Sequence, residues 1–379
     1  MMPDPPGTSP LRVCLFTDSW EPSGVGTHML TLAEELQALG HAVWFVCPAS
    51  PAGEPFLHRA QLLGLETLPL YVGGGNLKTL STLSRWLQEN HIHVFHGHAG
   101  IGWEGHDGIW AAYAARVPVI IRTEHLPYLI TNEWQQKIHA DLLNAVDRLV
   151  CVSNEAHRSF QAAGIAPQKL AAICNGVRLR SPLQTRGEVR AELGLSLNRP
   201  VALTVGRFTE QKGHTVLLDA APEIIARVPD VCFVWAGTGP LEEELRERIA
   251  KEDLTERFLL LGHRTDVPEL LGMADLFVLP SLFEGLPLIV LEAMAAGLPV
   301  VGTACCGTAE AVVPNKTGLL VSPGDAPALV CAVTHALTND ENRAAWGRAG
   351  QSRYEACFSA ERMGQETARL YTEVLREKE

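Results

Sequence analysis

Two rhythms of apolar and polar positions alternate along this chain of 379 residues. Short apolar runs are followed by segments whose apolar residues recur at helical spacing, which is typical of the βαβ units that build parallel sheets. The predicted strands are Leu11–Thr17, Ala42–Cys47, Ile92–His96, Val117–Arg122, Leu149–Val152 and Leu170–Ile173, then Val201–Val205, Cys232–Ala236, Phe258–Leu261, Leu276–Leu279, Val300–Gly302 and Leu319–Val321. The pattern therefore predicts an α/β protein with two doubly wound parallel sheets.

A polar stretch from Arg178 to Pro200 separates the two series of strands, and it contains Ser181-Pro182 and Gly187. Such a composition predicts an interdomain linker. Because a single hydrophobic core stops growing near ~250–300 residues, the chain length also predicts two domains. We assign residues 1–180 to the first domain and 181–357 to the second, followed by a helix over Ala360–Lys378.

The charge pattern argues against nucleic-acid binding. The net charge is −12, and no two Lys or Arg residues are adjacent. Neutralising a phosphate backbone requires a clustered basic face. We expect no nucleic-acid partner.

Cysteines and hydropathy indicate the compartment. The nine cysteines are odd in number, scattered and free of C-x-x-C pairs, so we expect buried thiols in a reducing environment. The neighbours Cys305 and Cys306 are either a redox pair or small residues of a loop. No apolar run reaches the ~18–20 residues of a membrane span, and Met1–Pro10 lacks a basic region before an apolar one. A cytoplasmic chain, at most peripheral to a membrane, is expected.

A glycine-containing turn, Ser23-Gly24-Val25-Gly26-Thr27-His28, follows the first predicted strand, and a helical pattern begins at about Thr27. Glycines at a strand-to-helix turn let backbone N–H groups approach an anion. A dinucleotide site would need glycine at position 29, which is Met29, and an acid at the end of the second strand, which ends in Cys47-Pro48. An anion-binding turn and a plain tight turn remain as alternatives.

Histidine is concentrated in the first half of the chain. His96 and His98 alternate along a strand, which places both on one face at the carboxyl edge of the sheet. The next strand ends in Arg122-Thr123-Glu124-His125, so its polar side chains should reach the same edge. A zinc site would need a third or fourth close ligand, and no metal site is predicted. His91 and His93 are expected at the surface or the core edge.

Two patterns in the second half are candidates for ligand binding. Gly206-Arg207 and Lys212-Gly213 leave the tip of one strand and would suit a diphosphate, although solvated surface cations are the alternative. Glu284 and Glu292 lie eight residues apart. If a helix begins at Leu288, Glu292 lies about two turns below Glu284, and the two carboxylates can bind two hydroxyl groups. Glu292 lies among apolar residues and needs a partner if it is buried.

Taken together, these motifs resemble the retaining glycosyltransferases of family 4, which have the GT-B fold of two Rossmann-like domains facing across a cleft. The resemblance covers nearly the whole chain. It rests on Gly24-Val25-Gly26, Gly206-Arg207 with Lys212-Gly213, Glu284 to Glu292, Asn175-Gly176-Val177, Ala236-Gly237-Thr238-Gly239-Pro240, Ala293 to Gly297 and Thr317 to Leu320. Where family members often have two glycines before x-x-E, this chain has Cys306-Gly307-Thr308-Ala309-Glu310.

The resemblance implies roles for individual residues. Catalytic roles are implied for His125 at the sugar–phosphate junction, Glu284 on the sugar hydroxyls, and Arg207 and Lys212 on the diphosphate. Donor-binding roles are implied for Gly24, Val25, Gly26, His98, Gly237, His263, Arg264, Leu286, Leu288, Ile289 and Glu292, of which Glu292 would hold the ribose and His263-Arg264 would lie against the base. The terminal helix, about 358–379, would cross back to the first domain.

The implied reaction moves a sugar from a UDP- or GDP-sugar to a hydroxyl acceptor with retention, the leaving diphosphate assisting. The sequence contains no D-x-D, and the GT-B class generally works without the metal that this motif holds, so no metal and no further cofactor are expected. Thr131–Val146 carries one Lys against two acids, which favours a saccharide or small-molecule acceptor over a membrane lipid. The alternatives are a GT-B epimerase or phosphorylase, and a non-catalytic sugar-nucleotide-binding protein.

Overall fold

The computed structural model describes residues 10–70, 77–100 and 104–379. The chain divides into two compact units. The first unit comprises Met1–Gly176 together with Ala360–Glu379, and the second comprises Val177–Ser359. Among the described residues, no helix combines the length and the apolar character that crossing a membrane requires.

The first unit is built on a parallel sheet. Its strands are β1 (Arg12–Phe16), β2 (Ala42–Pro48), β3 (Glu66–Leu70), β4 (Val94–Ala99), β5 (Val119–Glu124), β6 (Arg148–Cys151) and β7 (Leu170–Ala172), and its first helices are α1 (Ser23–Ala38), α2 (Glu54–Leu62), α3 (Leu77–Glu89), α4 (His106–Ala114), α5 (Glu133–Ala145) and α6 (Asn154–Ala162). The described strands pair in the order β3-β2-β1-β4-β5-β6-β7. The order reverses between β1 and β4.

The second unit repeats this plan. Its strands are β8 (Val201–Val205), β9 (Cys232–Ala236), β10 (Phe258–Leu260), β11 (Leu276–Leu279), β12 (Val300–Thr303) and β13 (Gly318–Val321), and its helices are α7 (Arg186–Glu192), α8 (His214–Arg227), α9 (Glu242–Lys251), α10 (Val267–Met273), α11 (Leu288–Ala295), α12 (Cys306–Ala311), α13 (Ala326–Thr338) and α14 (Asp340–Cys357). The order β10-β9-β8-β11-β12-β13 reverses between β8 and β11. Two doubly wound parallel sheets are thus confirmed.

The stretch predicted as a linker contains helix α7 and lies within the second unit, so its interpretation as a linker is wrong. Thr185 begins the helix with a capping box, accepting from the Glu188 N–H while the Glu188 carboxylate accepts from the Thr185 N–H. Arg190 of this helix is fully buried, and its Nη2 donates to Asp275 Oδ2 at 2.9 Å. Polar residues at a cap and in a buried ion pair gave this segment the composition of a linker.

The last helix, α15 (Ala360–Lys378), has the predicted bounds and completes the core of the first unit. Leu370, Tyr371 and Val374 are buried in one cluster with Met29 and other residues of α1. Helices α1 and α15 approach closely, because a Cβ on Gly364 would lie 2.4 Å from Glu35 Cβ. The end of the chain is therefore structural material of the first unit.

Candidate active site

Each sheet has a switch point, between β1 and β4 in the first unit and between β8 and β11 in the second. In open α/β sheets the connections from two such strands run to opposite faces, which leaves a crevice beyond their carboxyl ends for a ligand. The glycine turn follows β1, and His98 lies at the end of β4. Arg207 follows β8, and Glu284 follows β11. The predicted site residues thus lie at the positions where this fold binds ligands.

The glycine turn is the first turn of a helix. Helix α1 begins at Ser23, so the start predicted at about Thr27 is wrong. Pro22 precedes the helix with φ −58°, a value its ring imposes, and Ser23 has φ +37°. Gly24 is open on its Cβ side, whereas a Cβ on Gly26 would lie 2.7 Å from the Phe56 ring. The first N–H groups of a helix lack partners within it, so this turn can receive an anion.

Three histidines from separate elements meet behind this turn: His28 of α1, His98 of β4 and His125 after β5. His98 Nδ1 lies 3.3 Å from His125 Nε2, and the His28 and His125 rings are 4.7 Å apart. The predicted convergence of His98 and His125 is confirmed. Burial lowers the pKa of His28 to about 4 and holds the pKa of His98 and His125 well below its usual range. All three are neutral imidazoles near neutral pH.

His96 packs against this histidine cluster. Its ring stacks on that of His98, with centroids 4.2 Å apart and planes inclined by 28°. Its Nδ1 lies 2.5 Å from Tyr371 Oη, and its Nε2 lies 2.7 Å from Thr123 Oγ1. His96 and His98 share one face of β4, as the alternation predicted.

A buried charged network lies beside the histidines. Arg122 Nε donates to Glu124 Oε1 at 2.6 Å, and His139 Nε2 lies 3.5 Å from the same oxygen. Although burial alone raises it, Arg122 and His139 lower the pKa of Glu124 to about 2. Asp18, which accepts from the Gly105 N–H, has its pKa raised to about 6 by burial. Asp18 and Arg122 thus connect the segment after β1 and strand β5 to Gly105 and Glu104, the residues just before α4.

His28, His98 and His125 have ring nitrogens within 4.8 Å of one another and are a candidate metal triad. Four-coordinate zinc with ligands at about 2.0–2.1 Å brings neighbouring nitrogens to roughly 3.4 Å. His98 Nδ1 and His125 Nε2, 3.3 Å apart, already have this spacing. The triad contributes no negative charge, the positive end of α1 lies nearby, and the Arg122 charge acts on His98 and His125. This electrostatic setting suits an anion better than a dication.

In the second unit, a lysine and a glutamate form an ion pair at the switch point. Lys212 ends a short 3₁₀ turn after β8, and its Nζ lies 2.5 Å from Glu284 Oε1. Ser281 Oγ donates to the same carboxylate oxygen at 2.7 Å. Glu284 is buried, whereas Arg207 at the tip of β8 is exposed. The structure thus brings Lys212 and Glu284 together, and it shows a role for Ser281 that the sequence analysis missed.

Two glycines let the backbone loops of this site approach one another. Gly213 has φ +64°, and a Cβ there would lie 2.1 Å from the Pro280 carbonyl oxygen. Gly237 has φ +149°, and a Cβ there would lie 1.9 Å from the Gly206 carbonyl oxygen. Its N–H donates to the Gly262 carbonyl at 2.7 Å. The turns after β8, β9 and β10 are therefore held together through their main chains.

Helix α11 begins at Leu288, as the spacing of the two glutamates required. Pro287 precedes it, Leu288 and Ile289 supply the first N–H groups, and Leu286 is buried just before the helix. Glu292 lies within α11 and is half-buried, so it is less enclosed than its apolar neighbours predicted.

The loop predicted to lie against the base follows β10. His263 in this loop is exposed. Arg264 Nε donates to Asp266 Oδ1 at 2.7 Å and its Nη2 donates to Glu192 of α7 at 3.2 Å, so its guanidinium is already paired. His263 and Thr265 are the exposed side chains of the loop Gly262–Asp266.

Two Rossmann-like units, with a helix N-terminus and histidines at one switch point and a paired lysine and glutamate at the other, are the organisation of a two-domain transferase of the GT-B class. The family models described as Glycosyltransferase Family 4 and Glycosyl transferases group 1 match residues 22–181 and 185–353, respectively. An Escherichia coli UDP-Gal:alpha-D-GlcNAc-diphosphoundecaprenol alpha-1,3-galactosyltransferase is 32% identical over 279 residues, which is 70% of this chain and 71% of that protein. The chain belongs to glycosyltransferase family 4.

Other relatives and solved structures extend this result. The GPI3 subunit of a Saccharomyces cerevisiae phosphatidylinositol N-acetylglucosaminyltransferase is 26% identical over 86% of this chain and 75% of its own. An alpha-D-kanosaminyltransferase of Streptomyces kanamyceticus is 31% identical over half of this chain and 49% of its own. Anabaena HepE in complex with UDP superposes with a TM-score of 0.82 at 19% identity, covering 96% of this chain and 100% of HepE. The protein is a glycosyltransferase with the GT-B fold.

Proposed function

We propose that this protein moves a sugar from a UDP- or GDP-sugar to an acceptor hydroxyl with retention of configuration and without a divalent metal. The observation that carries the proposal is the Lys212–Glu284 ion pair at the switch point of the second sheet. It sets a cation beside a hydrogen-bond acceptor, which matches the neighbouring diphosphate and sugar hydroxyls of a nucleotide sugar.

Donor binding would redistribute this pair. A diphosphate competes with Glu284 for the Lys212 ammonium, and the released carboxylate can accept from sugar hydroxyls while Ser281 continues to donate to it. Arg207 adds a second cation beyond β8, and the N–H groups at the start of α11 favour a phosphate oxygen. We assign the ribose to Glu292, also on α11.

In the proposed reaction, the bond between the anomeric carbon and the leaving phosphate oxygen breaks, and the acceptor oxygen bonds to that carbon on the same face. The acceptor proton passes to the leaving phosphate, so no protein nucleophile is required. Lys212 and Arg207 stabilise the charge that develops on the diphosphate. His125, kept neutral by burial, can donate or accept a hydrogen bond at the sugar–phosphate junction without adding charge.

Two alternatives share the scaffold. A GT-B epimerase or phosphorylase acts without the acceptor transfer expected here, and a sugar-nucleotide-binding protein releases no nucleotide. The test measures nucleotide release from a panel of UDP- and GDP-sugars with and without saccharide acceptors, followed by NMR of the anomeric linkage. Acceptor-dependent release with a retained anomer supports the proposal, whereas an inverted linkage or release of neither nucleotide contradicts it.

Metal independence has its own test. We expect turnover to persist in excess EDTA, because Arg207 and Lys212 supply the positive charge that a metal would bring to the diphosphate. Activity that EDTA abolishes and magnesium or manganese restores would overturn this part of the proposal. Restoration by zinc alone, lost again in His28→Ala, would instead identify the histidine triad as a metal site.

We further propose a saccharide or small-molecule acceptor and a cytoplasmic location. Lys137 is the one Lys or Arg of helix α5, so this helix has little positive charge that an anionic membrane could attract. Most of the cysteines are buried free thiols, as in a reducing compartment. Faster turnover with a lipid-linked acceptor than with its soluble glycan would contradict the proposed acceptor class.

A further inference from the structure

Tyr371 is the residue of α15 that reaches the histidines of the first unit. Its side chain is fully buried, and its Oη lies 2.5 Å from Nδ1 of His96, a residue 275 positions away in the sequence. The other ring nitrogen of His96 lies 2.7 Å from Thr123 Oγ1. Both nitrogens of this buried imidazole are thus occupied by hydroxyl groups.

The hydroxyl pair fixes the plane of the His96 ring. Burial holds the pKa of His96 well below its usual range and that of Tyr371 well above, so both groups are neutral. A neutral imidazole has one donor and one acceptor nitrogen. One hydroxyl therefore donates to the ring and the other accepts from it, and losing either partner leaves one buried nitrogen without its bond.

The orientation of the His96 ring constrains the orientation of His125 through His98. The His96 ring stacks on His98 at 4.2 Å, and His98 Nδ1 is 3.3 Å from His125 Nε2. His98 is fully buried between these two contacts. A rotation of the His96 ring would therefore displace the ring stacked on it and change the hydrogen bond to His125.

We propose that Tyr371 is a positioning residue for sugar transfer, whose hydroxyl, through His96 and His98, holds the His125 imidazole in its reacting orientation. The inference rests on the proposed role of His125. It gives the last helix a part in the reaction besides its packing against α1.

Two variants of α15 separate the hydroxyl from the packing. Tyr371→Phe keeps the buried ring and removes the hydroxyl. Val374→Ala opens the same core one turn further along the helix, at an apolar side chain that is 1% exposed. We expect Tyr371→Phe to lower kcat about 10-fold with donor KM and Tm nearly unchanged, and Val374→Ala to lower Tm with kcat retained.

Thr123, at the Nε2 atom of His96, provides a second pair of variants. Thr123→Val removes the hydroxyl at nearly constant shape and should lower kcat as Tyr371→Phe does. Thr123→Ser keeps the hydroxyl and should retain kcat. The imidazole ¹⁵N shifts of His96 should change in Tyr371→Phe and Thr123→Val but not in Val374→Ala.

A double variant tests the route through His125. In the His125→Ala background, Tyr371→Phe should cause no further loss of kcat, because the group it positions is absent. Equal losses in both backgrounds, or unchanged kcat in Tyr371→Phe, would overturn the inference about Tyr371. If His125→Ala itself keeps its kcat, the proposed role of His125 fails instead, so the two failures are distinguishable.

Discussion

Glu284 shares one carboxylate oxygen between two donors of different kinds, the ammonium of Lys212 and the hydroxyl of Ser281. The resemblance to family 4 implied that Lys212 and Glu284 belong to one site. Their direct contact was not predictable, because it depends on the approach of the loops after β8 and β11. At the scale of the residue, the proposed donor site contains an ion pair that a bound diphosphate would separate.

Removing the charge of Glu284 or of Arg207 should damage the reaction without unfolding the protein. We expect Glu284→Gln or Arg207→Ala to lower kcat/KM by about 100-fold or more, because both residues should contact the donor more strongly as charge develops on it. Steady-state kinetics with the preferred donor measure the loss, and thermal unfolding checks the fold. The exposed Glu223, paired with Arg227 on α8, provides the control Glu223→Gln. Near-normal turnover in either site variant would refute the assignment.

Gly213 and Gly194 are matched positions at which to test whether the close approach of the loops matters. Both have left-handed backbones, with φ +64° and +69°, but a Cβ on Gly194 meets nothing within 4 Å. We expect Gly194→Ala to cost about 1 kcal/mol of stability from the backbone conformation alone. Gly213→Ala adds a clash with Pro280 O, so its Tm should fall further and its donor KM should rise. Equal effects in the two variants would contradict a role for the loop contact.

Among the histidines, the sequence placed His96 and His98 on one face and brought His125 to the same edge, because strand alternation and parallel pairing are local rules. It gave no indication of Tyr371, whose partner lies 275 residues away. His28 was visible two residues after Gly26, but nothing in a single helical period shows which of its residues faces a neighbouring strand. Contacts between distant segments need the tertiary structure.

At the scale of the element, the strands were predictable except β3, and the exception has a physical cause. Its sequence Glu66-Thr67-Leu68-Pro69-Leu70 contains a proline and lacks a long apolar run, and both features argue against a central strand. Among the described strands β3 lies at the edge of its sheet and pairs with β2 alone, a position where proline is tolerated. Helix α7 was missed although T-x-x-E at Thr185 to Glu188 is a capping-box pattern.

The cap of α7 gives a prediction about stability. Thr185→Ala removes the hydroxyl that accepts from the Glu188 N–H, and it should lower the stability of the second unit by about 1 kcal/mol. Thr185→Ser keeps the cap and is the matched control. Denaturant unfolding, followed by a probe in the second unit, measures both. A Thr185→Ala variant as stable as Thr185→Ser would show that the capping box contributes little.

At the scale of the molecule, buried neutral histidines are concentrated in the first unit, where burial lowers the pKa of His28, His96, His98 and His125. A histidine whose native pKa lies below about 6.5 binds more protons when unfolded, so it removes stability as the pH falls from about 6.5 towards the native pKa. Each contributes up to about 1.4 kcal/mol per pH unit. Asp18, with its pKa raised to about 6, acts in the opposite direction.

Burial also lowers the pKa of His41 and His93, so six histidines of the first unit stand against one aspartate and predict that acid destabilises this unit. The second unit contributes His214, whose pKa burial lowers to about 3. Hydrogen exchange at pH 7 and pH 5, corrected for intrinsic rates, should show a larger loss of protection in the strands of the first unit than in those of the second. An equal loss in both units, or a larger one in the second, would show that the histidines do not dominate the response.

The placement of α15 also affects how this chain is made. Ribosomal synthesis delivers the second unit as one uninterrupted stretch, Val177–Ser359, whereas the first unit must wait for Ala360–Glu379. Until that helix emerges, Met29 and the other side chains that face it on α1 lack their cover. The first unit is therefore completed after the second. During translation its open core is a surface that a chaperone can occupy.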